Sequence, residues 1–175
     1  MTPQRHAGRT VLVTGAASGI GACISRQYLQ EGATVVLIDV NADALVAHAE
    51  SLSGWGGRTV WATADVADYP QCAQALDRVR AKIGADIDTL INNAGISPKT
   101  HGKPANFWEM NPDEWGRVVA VNLHGAFNWS RLVSGDGAQQ VWQHREHVLR
   151  RRQGVCELHG GPLRHHQGRI DRLDA

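Results

Sequence analysis

Residues Thr14-Gly15-Ala16-Ala17-Ser18-Gly19-Ile20-Gly21 directly follow a short apolar run, Val11-Leu12-Val13. A strand that ends in spaced glycines and opens into a helix can cradle the pyrophosphate of a dinucleotide. Gly15 lets the chain turn sharply. Gly19 and Gly21 let the backbone approach the phosphates and let the helix pack closely on the strand. The N–H groups of the first helical turn then face the phosphate charge. Further along, single polar residues stand at the ends of apolar runs: Asp39 after Val35–Ile38, Asp65-Val66 after Thr59–Thr63, and Asn92-Asn93-Ala94-Gly95 after Thr89–Ile91. Asp39 can cap the helix that follows it, or its carboxylate can accept hydrogen bonds from the hydroxyls of an adenosine ribose. An acid in the second role repels a 2′-phosphate.

These residues need a frame that brings strand ends together. Apolar strands are predicted over Thr10–Thr14, Ala33–Ile38, Thr59–Thr63 and Thr89–Ile91. Helices are predicted over Ile20–Glu31, Ala42–Leu52, Tyr69–Ile83 and Pro112–Leu132. Ile20, Ile24 and Tyr28 share one helical face by their i, i+4, i+8 spacing, as do Ala75, Leu76, Val79 and Ile83. Gly32 stops the first helix, and Pro112 takes a favoured first position in the last. Strands that alternate with helices of this length specify a parallel, doubly wound α/β sheet.

Composition narrows the function classes. One domain is the expectation for 175 residues, and 42% hydrophobic content suffices for a core. A net charge of +1 gives no global pull toward nucleic acid. No apolar run is long enough to span a membrane, and Cys23, Cys72 and Cys156 are scattered without metal-site spacing. A cytoplasmic protein with no metal centre is the expectation. The charge is unevenly made: Lys82, Lys99 and Lys103 are the only lysines, whereas five of nine histidines follow Ser134. Helical and strand periodicity fail after Val133. The expected organisation is a dinucleotide-binding domain over 1–133 and an aberrant, poorly ordered Arg/His-rich tail over 134–175.

The ordered set Thr14-Gly15-xxx-Gly19-Ile20-Gly21, Asp39, Asp65-Val66, Asn92-Asn93-Ala94-Gly95 and Val121-Asn122 resembles the short-chain dehydrogenase/reductase family over about three quarters of the chain, Gly8 to Val133. The resemblance implies a Rossmann-like doubly wound parallel sheet, here truncated after about four strands and the long fifth helix. It implies transfer between nicotinamide and a secondary alcohol or ketone, with a 3-oxoacyl substrate as one candidate. The cofactor contacts implied are Gly15, Ser18, Gly19, Ile20, Gly21, Asp39, Asp65 (at the adenine ring), Val66, Asn92, Ala94 and Gly95. NAD is favoured over NADP because of Asp39. Asn122 matches the family's catalytic Asn, which holds a water relay. The intact protein is expected to be a homo-oligomer acting on a small molecule, without nucleic-acid or membrane partners. The segment Ile96–Trp115, with Lys99, His101, Lys103, Trp108 and Trp115, lies near the substrate mouth by analogy; on its residues alone it reads as a polar surface loop anchored by two aromatics.

The resemblance then stops. The family needs a Tyr-xxx-Lys element and an upstream serine, yet no Tyr or Lys follows residue 103, and the serines past Asn128 are only Ser130 and Ser134. Three of the four catalytic groups are missing. The tail nonetheless carries a second text. With each triplet taken one nucleotide later, Trp142–Leu149 is compatible with Gly-Asn-Ile-Val-Asn-Met-Ser-Ser, which resembles the family's fifth strand and catalytic serine. Under the same shift Leu163 permits Tyr, and Gln167 followed by Gly168 requires Lys or Arg. Gly168–Asp174 permits Gly-Gly-Leu-Ile-Gly-Leu-Thr, and Ser134–Gly137 permits Pro-x-Met-Val. A single-nucleotide frameshift near codon 133 accounts for this ordered set and for the Arg/His excess. The alternative is a non-catalytic dinucleotide-binding protein. A tail that acquired metal or nucleic-acid binding is disfavoured, because His159, His165 and His166 form no helical ligand pair and Arg150–Arg152 share the tail with five acids.

Overall fold

The computed structural model describes residues 4–97, 99–100, 103–104 and 106–134. The expectation for the tail lies outside these residues. Four parallel strands form the main sheet: β1 (Thr10–Thr14), β2 (Thr34–Asp39), β3 (Thr59–Thr63) and β4 (Thr89–Ile91), in the order β3-β2-β1-β4. Thr10 pairs with Thr34 on one side of β1, and Val11 pairs with Thr89 on the other. The chain moves outward from β1 to β3 and then returns to place β4 on the far side of β1. This switch point, between β1 and β4, opens a crevice beyond the carboxyl ends of the strands.

Every residue of β1 is buried, as a central parallel strand covered on both faces must be. Helices α1 (Gly19–Gln30), α2 (Ala42–Ser51) and α3 (Tyr69–Ile83) connect the strands. The caps follow sequence chemistry: Asn41 accepts from the N–H of Ala44, Asp68 from Gln71, and Asn111 from Glu114. Leu12, Val36, Ile38, Leu76, Val79, Ile87 and Trp129 lie in one continuous core. A small antiparallel pair, β5 (Lys99–Thr100) and β6 (Lys103–Pro104), follows β4. No described helix is long and apolar enough to cross a membrane.

Two expectations about the helices need correction. Pro112–Leu132 is not one uninterrupted α-helix. It is α4 (Pro112–Val119), a π-helical turn (Ala120–His124) and α5 (Gly125–Ser134). A π-turn is a local insertion that periodicity does not reveal. The face Ile20, Ile24, Tyr28 also splits: Ile24 and Tyr28 are buried, but Ile20 is 50% exposed. Ile20 stands in the first turn of α1, one turn before the first buried isoleucine of that face.

Candidate cofactor site

The glycine loop is held shut from two sides. On one side, the hydroxyl of Thr14 accepts the N–H groups of Asn93 and Ala94 at 3.0 and 3.1 Å, and itself donates to the carbonyl of Ile91. The Asn93 amide donates to the carbonyls of Thr14 and Gly15 at 2.9 and 3.1 Å. Thr14 and Asn93 thus lock the end of β1 to the end of β4. A side chain at Gly15 would meet the Ala94 backbone at 2.9 Å. One at Gly21 would overlap the Gly15 carbonyl and meet the Asn93 amide at 2.7 Å. Close packing therefore falls to Gly15 and Gly21.

Gly19 is different. It has φ +54° and nothing within 4 Å of a Cβ built on it. Its missing side chain leaves open space at the start of α1, where a pyrophosphate would lie. Ser18 is the N-cap residue in extended conformation, and its side chain caps nothing. The loop geometry fits a dinucleotide: two glycines close the turn, and the third faces unfilled space.

On the other side of the loop, the Asp39 carboxylate accepts the N–H of Ala17 at 2.9 Å through Oδ2 and the N–H of Asn41 at 3.0 Å through Oδ1. The cap of α2 is Asn41, so Asp39 does not serve as the helix cap. Two main-chain donors leave the carboxylate with accepting capacity to spare. Ile20, Val40 (63% exposed) and Ile96 (42% exposed) follow β1, β2 and β4 respectively. They supply apolar surface along the same edge of the sheet.

Asp65 follows β3. Its Oδ1 accepts from the N–H of Ala67 at 3.0 Å, and its Oδ2 pairs with the Arg117 guanidinium at 2.8 Å. Burial pushes this carboxyl up, but the Ala67 N–H and Arg117 outweigh it and hold Asp65 below the usual carboxylate value. Val66 beside it is 7% exposed. It packs against Gly125, where a Cβ would meet its Cγ2 at 2.7 Å, and its carbonyl accepts from the buried amide of Asn128 at 2.9 Å. Val66 therefore supports the floor beneath this corner. Cys72 also lies here; burial pushes its thiol up to about 12, so it is no nucleophile at neutral pH.

Asn92 donates to the Ser130 hydroxyl on α5 at 3.2 Å. Asn122 clamps the loop after β4: its Oδ1 accepts the N–H of Ile96 at 2.8 Å and its Nδ2 donates to the Ile96 carbonyl at 2.9 Å. Gly95 lies against Asn122, at 3.5 Å from a built Cβ to Oδ1. These contacts bring Gly15, Gly21, Asp39, Ala94, Gly95 and Asn122 together beyond the carboxyl ends of β1, β2 and β4, with Gly19 opening onto free space. Sequence reasoning quoted Thr14 only as the first residue of the glycine motif and missed the part its hydroxyl plays, and it singled out neither Arg117 nor Asn128. The aromatics of the following segment do not anchor it: Trp108 is 81% exposed and Trp115 53%.

The short chain dehydrogenase profile matches residues 9–140. The 3-oxoacyl-[acyl-carrier-protein] reductase of Thermotoga maritima is 39% identical over 133 residues, 74% of this chain and 50% of that protein. A Brucella melitensis 3-oxoacyl-[acyl-carrier protein] reductase with bound NAD is 44% identical with a TM-score of 0.70, over 76% of this chain and 50% of that one. A Burkholderia cenocepacia gluconate 5-dehydrogenase in complex with NADP and tartrate is 33% identical with a TM-score of 0.66, again over 76% and 50%. The chain spans about half the length of each. With its glycine loop, its strand order 3-2-1-4 and this profile match, the chain belongs to the short-chain dehydrogenase family.

Proposed function

We propose that this chain binds NAD in the crevice between β1 and β4 and does not turn it over. Gly15, Ser18, Gly19, Ile20 and Gly21 would take the pyrophosphate, Asp39 the adenosine ribose, Asp65 the adenine with Val66 beneath it, and Asn92, Ala94 and Gly95 the nicotinamide side. Bound nicotinamide would supply the two-electron exchange with a carbonyl or alcohol carbon. The single observation that carries the binding half is Asp39, fixed by Ala17 and Asn41 as a carboxylate at the mouth of the glycine loop. Its charge favours a ribose diol and opposes a 2′-phosphate.

The observation behind the second half is chemical. A proton must move at the substrate oxygen, and the sequence places no Tyr or Lys after residue 103 to move it. Asn122 is the one member of the catalytic set present, and its amide is committed to Ile96. We propose that the tail arose by a one-nucleotide shift near codon 133. On that reading the unshifted protein is a short-chain dehydrogenase for a secondary alcohol or ketone, with a 3-oxoacyl group as the leading candidate. It would assemble as a homo-oligomer, with the exposed Leu123 and Phe127 as apolar contact surface.

Calorimetric titration with NAD and NADP, paired with an absorbance assay on a panel of secondary alcohols, tests the reading. NAD is expected to bind at least tenfold more tightly than NADP, with no reduction of either. Tighter NADP binding would overturn the ribose assignment of Asp39. Measurable turnover would overturn the claim of inactivity.

A further inference from the structure

Arg117 is the one charged partner, among the described residues, that ties α4 to the end of β3. The two partners lie 52 residues apart in the chain. Arg117 is half exposed, whereas the Asp65 side chain is 23% exposed and lies in the corner beyond β3. An exposed pair of this kind adds little to stability, so its position is more informative than its energy. The Asp65 carboxylate is held at both oxygens, by Ala67 on Oδ1 and by Arg117 on Oδ2, and Gln71 accepts its main-chain N–H at 3.2 Å. A carboxylate has about four accepting sites, so each oxygen retains capacity for one more donor. A nucleobase placed here would have to offer a donor, and the exocyclic amine of adenine is one.

We infer that Arg117 is a positioning residue for the adenine subsite, acting by fixing the Asp65 carboxylate so that it accepts the adenine amine. The inference rests on the reading of Asp65 as the adenine contact. Loss of Arg117 leaves Oδ2 without its partner and frees the side chain to rotate about its remaining contact with Ala67. It also removes one of the contacts that hold the carboxyl below its usual value, beside the Ala67 N–H. Because α4 runs directly into the π-turn that carries Asn122, Arg117 further joins the adenine corner to the helix that clamps Ile96.

The test compares NAD with nicotinamide hypoxanthine dinucleotide, in which the adenine amine is replaced by a carbonyl oxygen. Affinities of both are measured by calorimetry on the full chain and on Arg117→Ala, Asp65→Ala and the double variant, with melting temperatures taken alongside. The expected result is a five- to tenfold loss of NAD affinity in Arg117→Ala with the hypoxanthine analogue changed less than twofold. The double variant should lose no more than Asp65→Ala alone. Equal loss for both dinucleotides would show a merely structural role for Arg117, and no loss for either would also overturn the inference. If Asp65→Ala leaves the preference for NAD over the analogue unchanged, the adenine assignment of Asp65 fails instead.

Discussion

The carboxylate of Asp39 accepts the main-chain N–H of Ala17 at 2.9 Å, so the acid that ends β2 also closes the glycine loop that follows β1. On the proposed function one side chain would have two tasks: holding the glycine loop in shape and accepting from the ribose. Asp39→Ala removes both. It should weaken NAD binding by tenfold or more, in line with about 1.5–3 kcal/mol for hydrogen bonds to a charged group. NADP should lose less, because a repulsion disappears with the acid. Calorimetric titration of both cofactors checks the changed ratio.

The glycines should separate by role. Gly21→Ala forces a methyl onto the Gly15 carbonyl and the Asn93 amide, both fixed by the lock between β1 and β4. It should cost about 3 kcal/mol or more of stability. Gly19→Ala meets no atom within 4 Å and pays only for its φ of +54°, about 1–2 kcal/mol. Its larger effect should be on NAD affinity, since the new methyl enters the open space that the proposed function gives to the pyrophosphate. Urea unfolding and cofactor titration on the two variants distinguish these outcomes.

Asn122→Ala breaks both hydrogen bonds to Ile96. With a net value of about 1 kcal/mol per bond, the loop after β4 should open more readily while the sheet stays intact. Amide exchange at Ile96 should accelerate in the variant, and exchange within β1 should not change.

His48 gives a pH dependence. It is 8% exposed, and its Nε2 has no partner among the described residues. Burial, with the charge of Arg26 adding to it, lowers its pKa below the ordinary 6.5. A folded-state value below the unfolded one leaves stability intact above 6.5 and removes it as pH falls from there toward the folded-state value. The urea midpoint of the protein should therefore drop as pH falls below the ordinary 6.5, and His48→Leu should flatten that drop.

The frame of the fold was legible because its signals are local. Apolar runs, spaced glycines and Asn or Asp caps identified all four strands of the main sheet and most helix boundaries to within a residue. What escaped depended on pairs far apart in sequence. Ile20 fits the apolar helical stripe with Ile24 and Tyr28, yet it is exposed. The π-turn around Asn122 arises where the helix meets the loop carrying Ile96, a contact across 26 residues. Arg117 carries no local sequence signal, and only the fold sets it beside Asp65. Thr14 could have been singled out, since a Thr closing an apolar strand beside a glycine loop has a free hydroxyl to offer the neighbouring strand end.

On the proposed function, a cofactor-binding core is followed by a shifted reading frame. The most direct measurement is a fresh determination of the coding DNA from codon 125 through codon 175 and beyond. Triplets taken one nucleotide later should spell Gly-Asn-Ile-Val-Asn-Met-Ser-Ser across codons 142–149, then Tyr at 163 and Lys at 167. A stop codon in that frame, or the absence of the Tyr and Lys, would contradict that reading and make the tail native to this protein.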